Sequence, residues 1–249
     1  MEIASNLVAI EVCTAISLMS SIAFNCVIGF GHIFSFQKIA SKFLHASSMF
    51  SLMYFILRIL EQTTSDLSTC AMLEVFSMSL YFTSRFFMLL FVLLRFNELY
   101  SVCRYVYPGI GLILLFAGAI PAAGVTNMML YDTNSCKLTA SSISTIFTCL
   151  SFTIATLYIL WIYGRQIERS RKLKLVSDKS DMTIVTFVSF LIGSIFTIMF
   201  LGTAQNPAIA PYSTIMASID LTLNHVLLTL PFYVEGLKSI GTFDSEFIN

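Results

Sequence analysis

The sequence predicts an all-α membrane protein, a seven-transmembrane helix bundle with its amino terminus outside the cell and its carboxyl terminus in the cytoplasm. Three observations carry that prediction. Of 249 residues, 57% are hydrophobic and 11% charged, against roughly 25% charged in a soluble domain. Seven mostly apolar stretches reach the length of about 20 residues that crosses a bilayer at helical rise. Basic residues, finally, crowd into alternate links between those stretches.

The first segment covers about 7–35. It exceeds the apolar core of a signal peptide, begins with Glu2 rather than basic residues and lacks a clear small-residue cleavage site, so it is read as a helix. The second, about 44–62, follows Lys38 and Lys42, and the third, about 70–94, runs from Cys70 to the edge of Arg95. The fourth, about 105–128, is interrupted near its start by Pro108 and Gly109, although proline in a first helical turn is tolerated. The fifth, sixth and seventh cover about 139–163, 183–203 and 212–234, leaving 235–249 as a short cytoplasmic tail. No internal repeat divides the chain, so residues 1–249 read as one transmembrane domain.

Orientation follows from the preference of Lys and Arg for short cytoplasmic loops. Eleven basic residues share one side: Lys38, Lys42, Arg95, Arg104, Arg165, Arg169, Arg171, Lys172, Lys174, Lys179 and Lys238. Only Lys137 falls on the other, while Arg58 and Arg85 lie within helices. The basic link Gly164 to Lys179 either meets an anionic surface such as membrane lipid, or serves only to set topology. Its stretch QIERSRKLKL also reads as an extension of the fifth helix.

Lys plus Arg and Asp plus Glu both total 14, and with no basic excess a nucleic-acid partner is not expected. Enzyme function is not expected either. The chain has no Gly-rich phosphate loop and no Gly-x-Ser-x-Gly elbow, and His32, His45 and His225 are scattered without a His-x-x-x-His pair. No metal or cofactor is implied. A retinal protein would need a lysine inside the seventh helix, where the first lysine is Lys238 at the cytoplasmic end.

Charge cost points to a candidate site. An ionised side chain at the bilayer centre costs about 2.5 to 3.5 kcal/mol on insertion scales and normally faces the bundle interior with a partner. Arg85 sits about 15 Å from the cytoplasmic end of its helix at 1.5 Å per residue and needs such a partner. Asp220, Asn224 and His225 of the seventh segment are the candidates, Asp220 and Asn224 sharing a face at four-residue spacing. Glu11, Arg58, Glu61 and Glu74 lie in outer helix halves. If these acids converge with Asp220, the outer cavity favours a cationic or strongly hydrogen-bonding ligand, contacted by Glu74, Arg85, Asp220 and Asn224. The plainer alternatives are that Glu11 and Glu61 snorkel to headgroups and that Arg85 and Asp220 form a purely structural pair.

Of the six cysteines, Cys13, Cys26 and Cys149 fall in membrane segments, where a thiol is a small apolar filler. Cys103 faces the cytoplasm. Cys70 and Cys136 share the oxidising side, which permits a disulfide, two separate thiols being the alternative.

Seven helices with an outside amino terminus, and a cysteine pair joining the start of helix three to the following outer link, resemble G protein-coupled receptors. Arg95 follows Cys70 by twenty-five residues, the spacing at which that family places the arginine of its Asp/Glu-Arg-Tyr motif. Here the triplet is Leu94-Arg95-Phe96, without the acid, and a snorkelling arginine is the alternative. The run YILWIYGRQIERSRK, Tyr158 to Lys172, resembles the cytoplasmic end of helix five in rhodopsin-like receptors, with Tyr163 at the tyrosine that turns inward on activation. Leu230-Pro231-Phe232-Tyr233 is similar to the family's Asn-Pro-x-x-Tyr with the Asn replaced.

The departures select a branch. Helix two has no Asp, helix six no Cys-Trp-x-Pro and helix four no Trp, the sole Trp being Trp161. Short loops and FSFQKIASKFLHASSMFSLMY, Phe34 to Tyr54, are similar to the serpentine chemoreceptors of nematodes. The resemblance implies a plasma-membrane receptor, with a sensory cilium as one location. It would take a small-molecule ligand in its outer half and couple to a heterotrimeric G protein through Arg95, Tyr163, Arg165 and Arg169, with Pro231 and Tyr233 as the activation motif. The competing class is a small transporter or channel with a polar path near Arg85, Asp220 and His225. Transporters usually show repeated halves, and the prolines here do not pair between halves.

Overall fold

A computed structural model describes residues 12, 15, 16, 19, 20, 22, 23, 39–64, 66–129, 131, 132, 137, 138, 143–172, 178–204 and 214–229. The principal helices are α1 (Ile39–Thr63), α2 (Leu67–Tyr100), α3 (Cys103–Met129), α4 (Ile143–Lys172) and α5 (Asp178–Ala204). A two-residue antiparallel ladder, β1 (Tyr131–Asp132) with β2 (Lys137–Leu138), tops the α3–α4 link, Tyr131 opposite Leu138. Residues 214–229 form a last helix, α6, and the seven described residues between Val12 and Ala23 are helical too.

Five helices, α1 to α5, are long and apolar enough to cross a membrane. They correspond to predicted segments two to six. The sixteen described residues of segment seven are helical but shorter than a full span, and most of segment one lies outside the described residues, as do Pro231, Tyr233 and the 235–249 tail. The sidedness of the two termini therefore stays an expectation.

Burial is arranged for lipid. Leu114, Leu115, Ile146, Phe147, Ile195 and Ile198 are exposed, while Ser47, Ser51, Ser84, Arg85, Asp220, Asn224 and His225 are buried. In water so much exposed apolar surface would demand a partner. In a bilayer the acyl chains cover it, and the polar groups gather inside where they find one another. The protein is a membrane-embedded helical bundle.

At its centre stands α2, the most buried span, packed against α1, α3, α4 and α5. Asp66 caps it, with φ −83° and ψ 117°, its carboxylate accepting from the Thr69 N–H at 3.0 Å. At the far end Ser101 adopts φ 52° and its N–H reaches the Asn97 carbonyl at 2.7 Å. That left-handed residue closes the helix and lets the chain turn into α3 within Ser101 and Val102.

The hydroxyl and amide of Thr69 hold the Asp66 carboxyl below its ordinary value. A carboxyl depressed on folding adds stability above the ordinary carboxylate range, lost as pH falls through its lowered value. Amide exchange at residues 67–69 should accordingly quicken as pH drops through that window, and Asp66→Ala should show the fast rate at every pH.

The observed helices overrun their predicted edges. α1 starts five residues earlier than 44, and α4 continues nine past 163, carrying the QIERSRK stretch as helix to Lys172. α3 begins at Cys103 and runs unbroken through Pro108 and Pro121. Pro108 is thus not in a first turn. Membrane helices absorb interior prolines because neighbours satisfy the freed carbonyls, and the Thr148 hydroxyl of α4 reaches the Ala119 carbonyl at 3.2 Å nearby.

Candidate functional site

Arg85 lies near the middle of α2 and Asp220 in α6, and they form an ion pair across the interior, their side chains 3% and 1% exposed. Desolvating both charges is costly, so the remaining valences must be met. Asp220 Oδ2 also accepts from the Tyr81 hydroxyl at 2.6 Å. Its Oδ1 accepts from the Thr197 hydroxyl of α5 and from Asn224 Nδ2, both at 2.9 Å. The guanidinium lies 5.2 Å from the Tyr81 ring centre, and Arg85 Nη1 reaches Met88 Sδ at 3.2 Å. One carboxylate therefore ties α2, α5 and α6 together at mid-depth.

Asn224 completes the junction. Its Nδ2 lies 3.2 Å from the Gly193 carbonyl of α5, and a Cβ built on Gly193 would collide with the Asn224 amide. Glycine is what allows α5 to come that close to α6. Four residues along from Leu221, His225 has Nδ1 2.7 Å from the Leu221 carbonyl. A carbonyl only accepts, so Nδ1 carries the proton and, in a neutral ring, Nε2 accepts. Nε2 faces the Ser47 hydroxyl at 3.1 Å. Ser47, Ser51 and Ser84 join α1 to α2 through hydroxyl contacts of 2.9 and 2.8 Å.

Toward the Cys70 end, Arg58 of α1 bonds Glu61 at 2.6 Å and also pairs with Glu74 of α2. One guanidinium is thus shared between two carboxylates, on the helices α1 and α2. Tyr54 bridges this cluster to the Arg85 site: its ring lies 5.8 Å from the Arg58 guanidinium and 6.0 Å from the Tyr81 ring. The Tyr54 hydroxyl, Arg58 Nε and Arg85 Nε are buried and make no hydrogen bond among the described residues. Glu11 lies outside the described residues.

The other end of α2 carries Arg95, 2% exposed, with Glu98 Oε2 3.4 Å from its Nη1. Glu98 also accepts from the Ala40 N–H at the start of α1, at 3.2 Å. An acid three residues after the arginine thus contacts it, where Leu94 withholds one. The i, i+3 spacing of Arg95 and Glu98, which puts both on one helix face, is the signal for this contact in the sequence. Tyr163 of α4 points inward, its hydroxyl donating to the Val92 carbonyl at 2.9 Å and its ring 5.1 Å from Phe96.

Of the remaining predicted residues, Arg165 and Arg169 do not join Arg95 and Tyr163. They line an open groove between α3 and α4, on the bundle's flank. Cys70 is buried and disulfide-bonded, Cys103 and Cys149 are free, and Cys136 lies outside the described residues. No group of three or more His, Cys, Asp or Glu suited to a metal occurs among the described residues.

No family model, curated protein or solved structure matches the chain.

Proposed function

We propose that the chain is a seven-helix receptor of the G protein-coupled type, chemosensory in role, taking a small ligand on the Cys70 side and signalling through the Arg95 end. The observation that carries the reading is the buried Arg85–Asp220 pair with its Tyr81, Thr197 and Asn224 partners. A network that joins three helices through one carboxylate has discrete alternatives, paired or parted, and a ligand that binds one of them better shifts the population. The same helix carries Arg95 fifteen angstroms or so further along, at about 1.5 Å per residue. The tyrosine bridge from Arg58 to Arg85, with the carboxyl groups of Glu61 and Glu74 gathered at its outer end, suits a cationic or donor-rich ligand near Glu74.

In this reading Arg95 and Tyr163 gate the coupling face, Arg165 and Arg169 flank it, and Pro231 and Tyr233 supply the remaining activation motif. Cys136 is the proposed partner of Cys70, placing both on the oxidising side. The plasma membrane, including a sensory cilium, is the proposed location. No enzymatic step or cofactor enters.

A second-messenger assay in cells expressing matched surface levels of wild type, Arg95→Ala and Tyr163→Phe, challenged with odorants and small amines, tests the proposal. The expected result is a ligand-dependent response in the wild type that falls at least about tenfold in Arg95→Ala, equivalent to about 1.4 kcal/mol of coupling. A solute or ion flux without any second-messenger response would instead favour a transporter path through Arg85, Asp220 and His225.

A further inference from the structure

The groove between the start of α3 and the end of α4 has a volume of about 540 Å³ and is lined by Arg104, Tyr105, Trp161, Arg165 and Arg169, among others. Among the described residues Glu168 is the one acid in its wall, and Lys172 pairs with it at 2.7 Å. Against Arg104, Arg165, Arg169 and Lys172 that one carboxylate leaves the groove a net positive charge of three among the described residues. Two of these guanidiniums are held by rings. Arg165 lies 5.3 Å from the Trp161 ring centre and Arg104 4.7 Å from that of Tyr105. The rings themselves pack edge to face at 6.1 Å, and the Tyr158 hydroxyl donates to the Tyr105 carbonyl at 2.8 Å, pinning α4 to α3.

The approach to this groove is apolar and continuous with the bilayer-facing surface. Leu150, Ile154, Leu157 and Trp161 are 54%, 44%, 58% and 47% exposed and recur at spacings of four, three and four residues, which puts them on one stripe of α4. Four residues past Trp161 comes Arg165, and four further Arg169. A chain lying along the stripe therefore ends at the guanidiniums. Arginine suits a phosphate through paired N–H donors, while Trp and Tyr prefer the headgroup level of a bilayer.

We propose that this groove is a binding site for an anionic glycerophospholipid, its acyl chain along Leu150, Ile154 and Leu157 and its phosphate between Arg104, Arg165 and Arg169. The inference goes beyond the receptor reading and does not rest on it, since a lipid site of this kind serves a transporter equally well. The stripe decides between lipid and soluble phosphate, because a water-soluble ligand gains nothing from aliphatic surface. It also disfavours an acidic protein segment, which would have to lie in the acyl region.

Trp161 is the chain's only tryptophan and sits in the groove, so its emission reports the occupant directly. The full chain is reconstituted in phosphatidylcholine vesicles. Phosphatidylserine or phosphatidylcholine brominated high on the acyl chain is then added at equal mole fraction, and quenching is compared. The expected result is an apparent affinity about fivefold greater for the anionic lipid, the scale of one basic residue at an anionic surface. The preference should vanish in Arg165→Gln/Arg169→Gln and persist in Arg171→Gln, which removes a neighbouring charge outside the groove. A single symmetric size-exclusion peak confirms that each variant is folded.

Equal quenching by the two lipids overturns the proposal, as does a preference that survives the double substitution. Full displacement of the brominated anionic lipid by glycerol phosphate would assign the groove to a soluble phosphate and reject the lipid. A shift in Trp161 emission with an acidic peptide, alongside equal lipid quenching, would assign it to a protein partner.

Discussion

Asp220→Leu is expected to lower the unfolding free energy by about 3 to 5 kcal/mol, the usual cost of stranding one member of a buried ion pair. Arg85 and Asp220 are both almost wholly buried, so the guanidinium left behind has no water to turn to. Tyr81, Thr197 and Asn224 lose an acceptor in the same step. Removing both charges is different. Arg85→Met/Asp220→Leu leaves an apolar contact in a membrane interior, which should recover most of the loss. Denaturant titration of the purified protein in mixed micelles, read by circular dichroism, compares both variants with the wild type. A double variant no more stable than Asp220→Leu would show that the pair's charges do not compensate one another.

The second large effect belongs to the α5–α6 approach. Gly193→Val pushes a branched side chain into the Asn224 amide, and the helices must separate. Overpacking costs typically 1 to 3 kcal/mol and each stranded buried hydrogen-bonding group about 1 to 3, so a loss of about 3 kcal/mol is expected in the same titration. Gly193→Val/Asn224→Ala should be milder than Gly193→Val alone, because the obstructing amide is gone. Wild-type stability in the single variant would mean that α5 and α6 do not meet at this point.

Both effects concern a junction that the sequence half disclosed. The cost of placing Arg85 at mid-membrane depth demanded a partner, and Asp220 with Asn224 on one face of a helix was the natural candidate. The ion pair is there. Invisible beforehand were Thr197 and the Gly193 carbonyl, both on α5, since a threonine hydroxyl in a helix is usually satisfied by its own preceding turn. Thr197 does also contact the Gly193 carbonyl at 3.0 Å. Nothing in the residue string says that it reaches Asp220 as well.

The helix edges show a similar division. Hydropathy marks where a segment leaves the acyl region, not where it ceases to be helical. Beyond Tyr163, α4 is rich in Arg, Gln, Glu and Lys, which favour helix in water, so it continues to Lys172. At the Arg95 end the missing acid of Leu94 suggested an unrestrained arginine, whereas Glu98 both contacts Arg95 and caps α1 through Ala40. Arg165 and Arg169, grouped by sequence with Arg95 and Tyr163, face another way because their turn of α4 lies against the start of α3.

By itself the sequence determined that the chain belongs in a membrane and where the five long apolar helices lie. Transfer from water to lipid is close to a sum over a local stretch, and a sum of that kind can be read from residues in order. It also determined that Arg85 must be compensated, because the cost of an isolated charge does not depend on which partner arrives. Only the tertiary structure decided that the partner is Asp220 with α5 as a third support, that Gly193 sets the spacing there, and that three arginines ring a flank groove. Those outcomes depend on helix crossings and side-chain directions between elements distant in the chain, and contact energies of that kind are not additive along it.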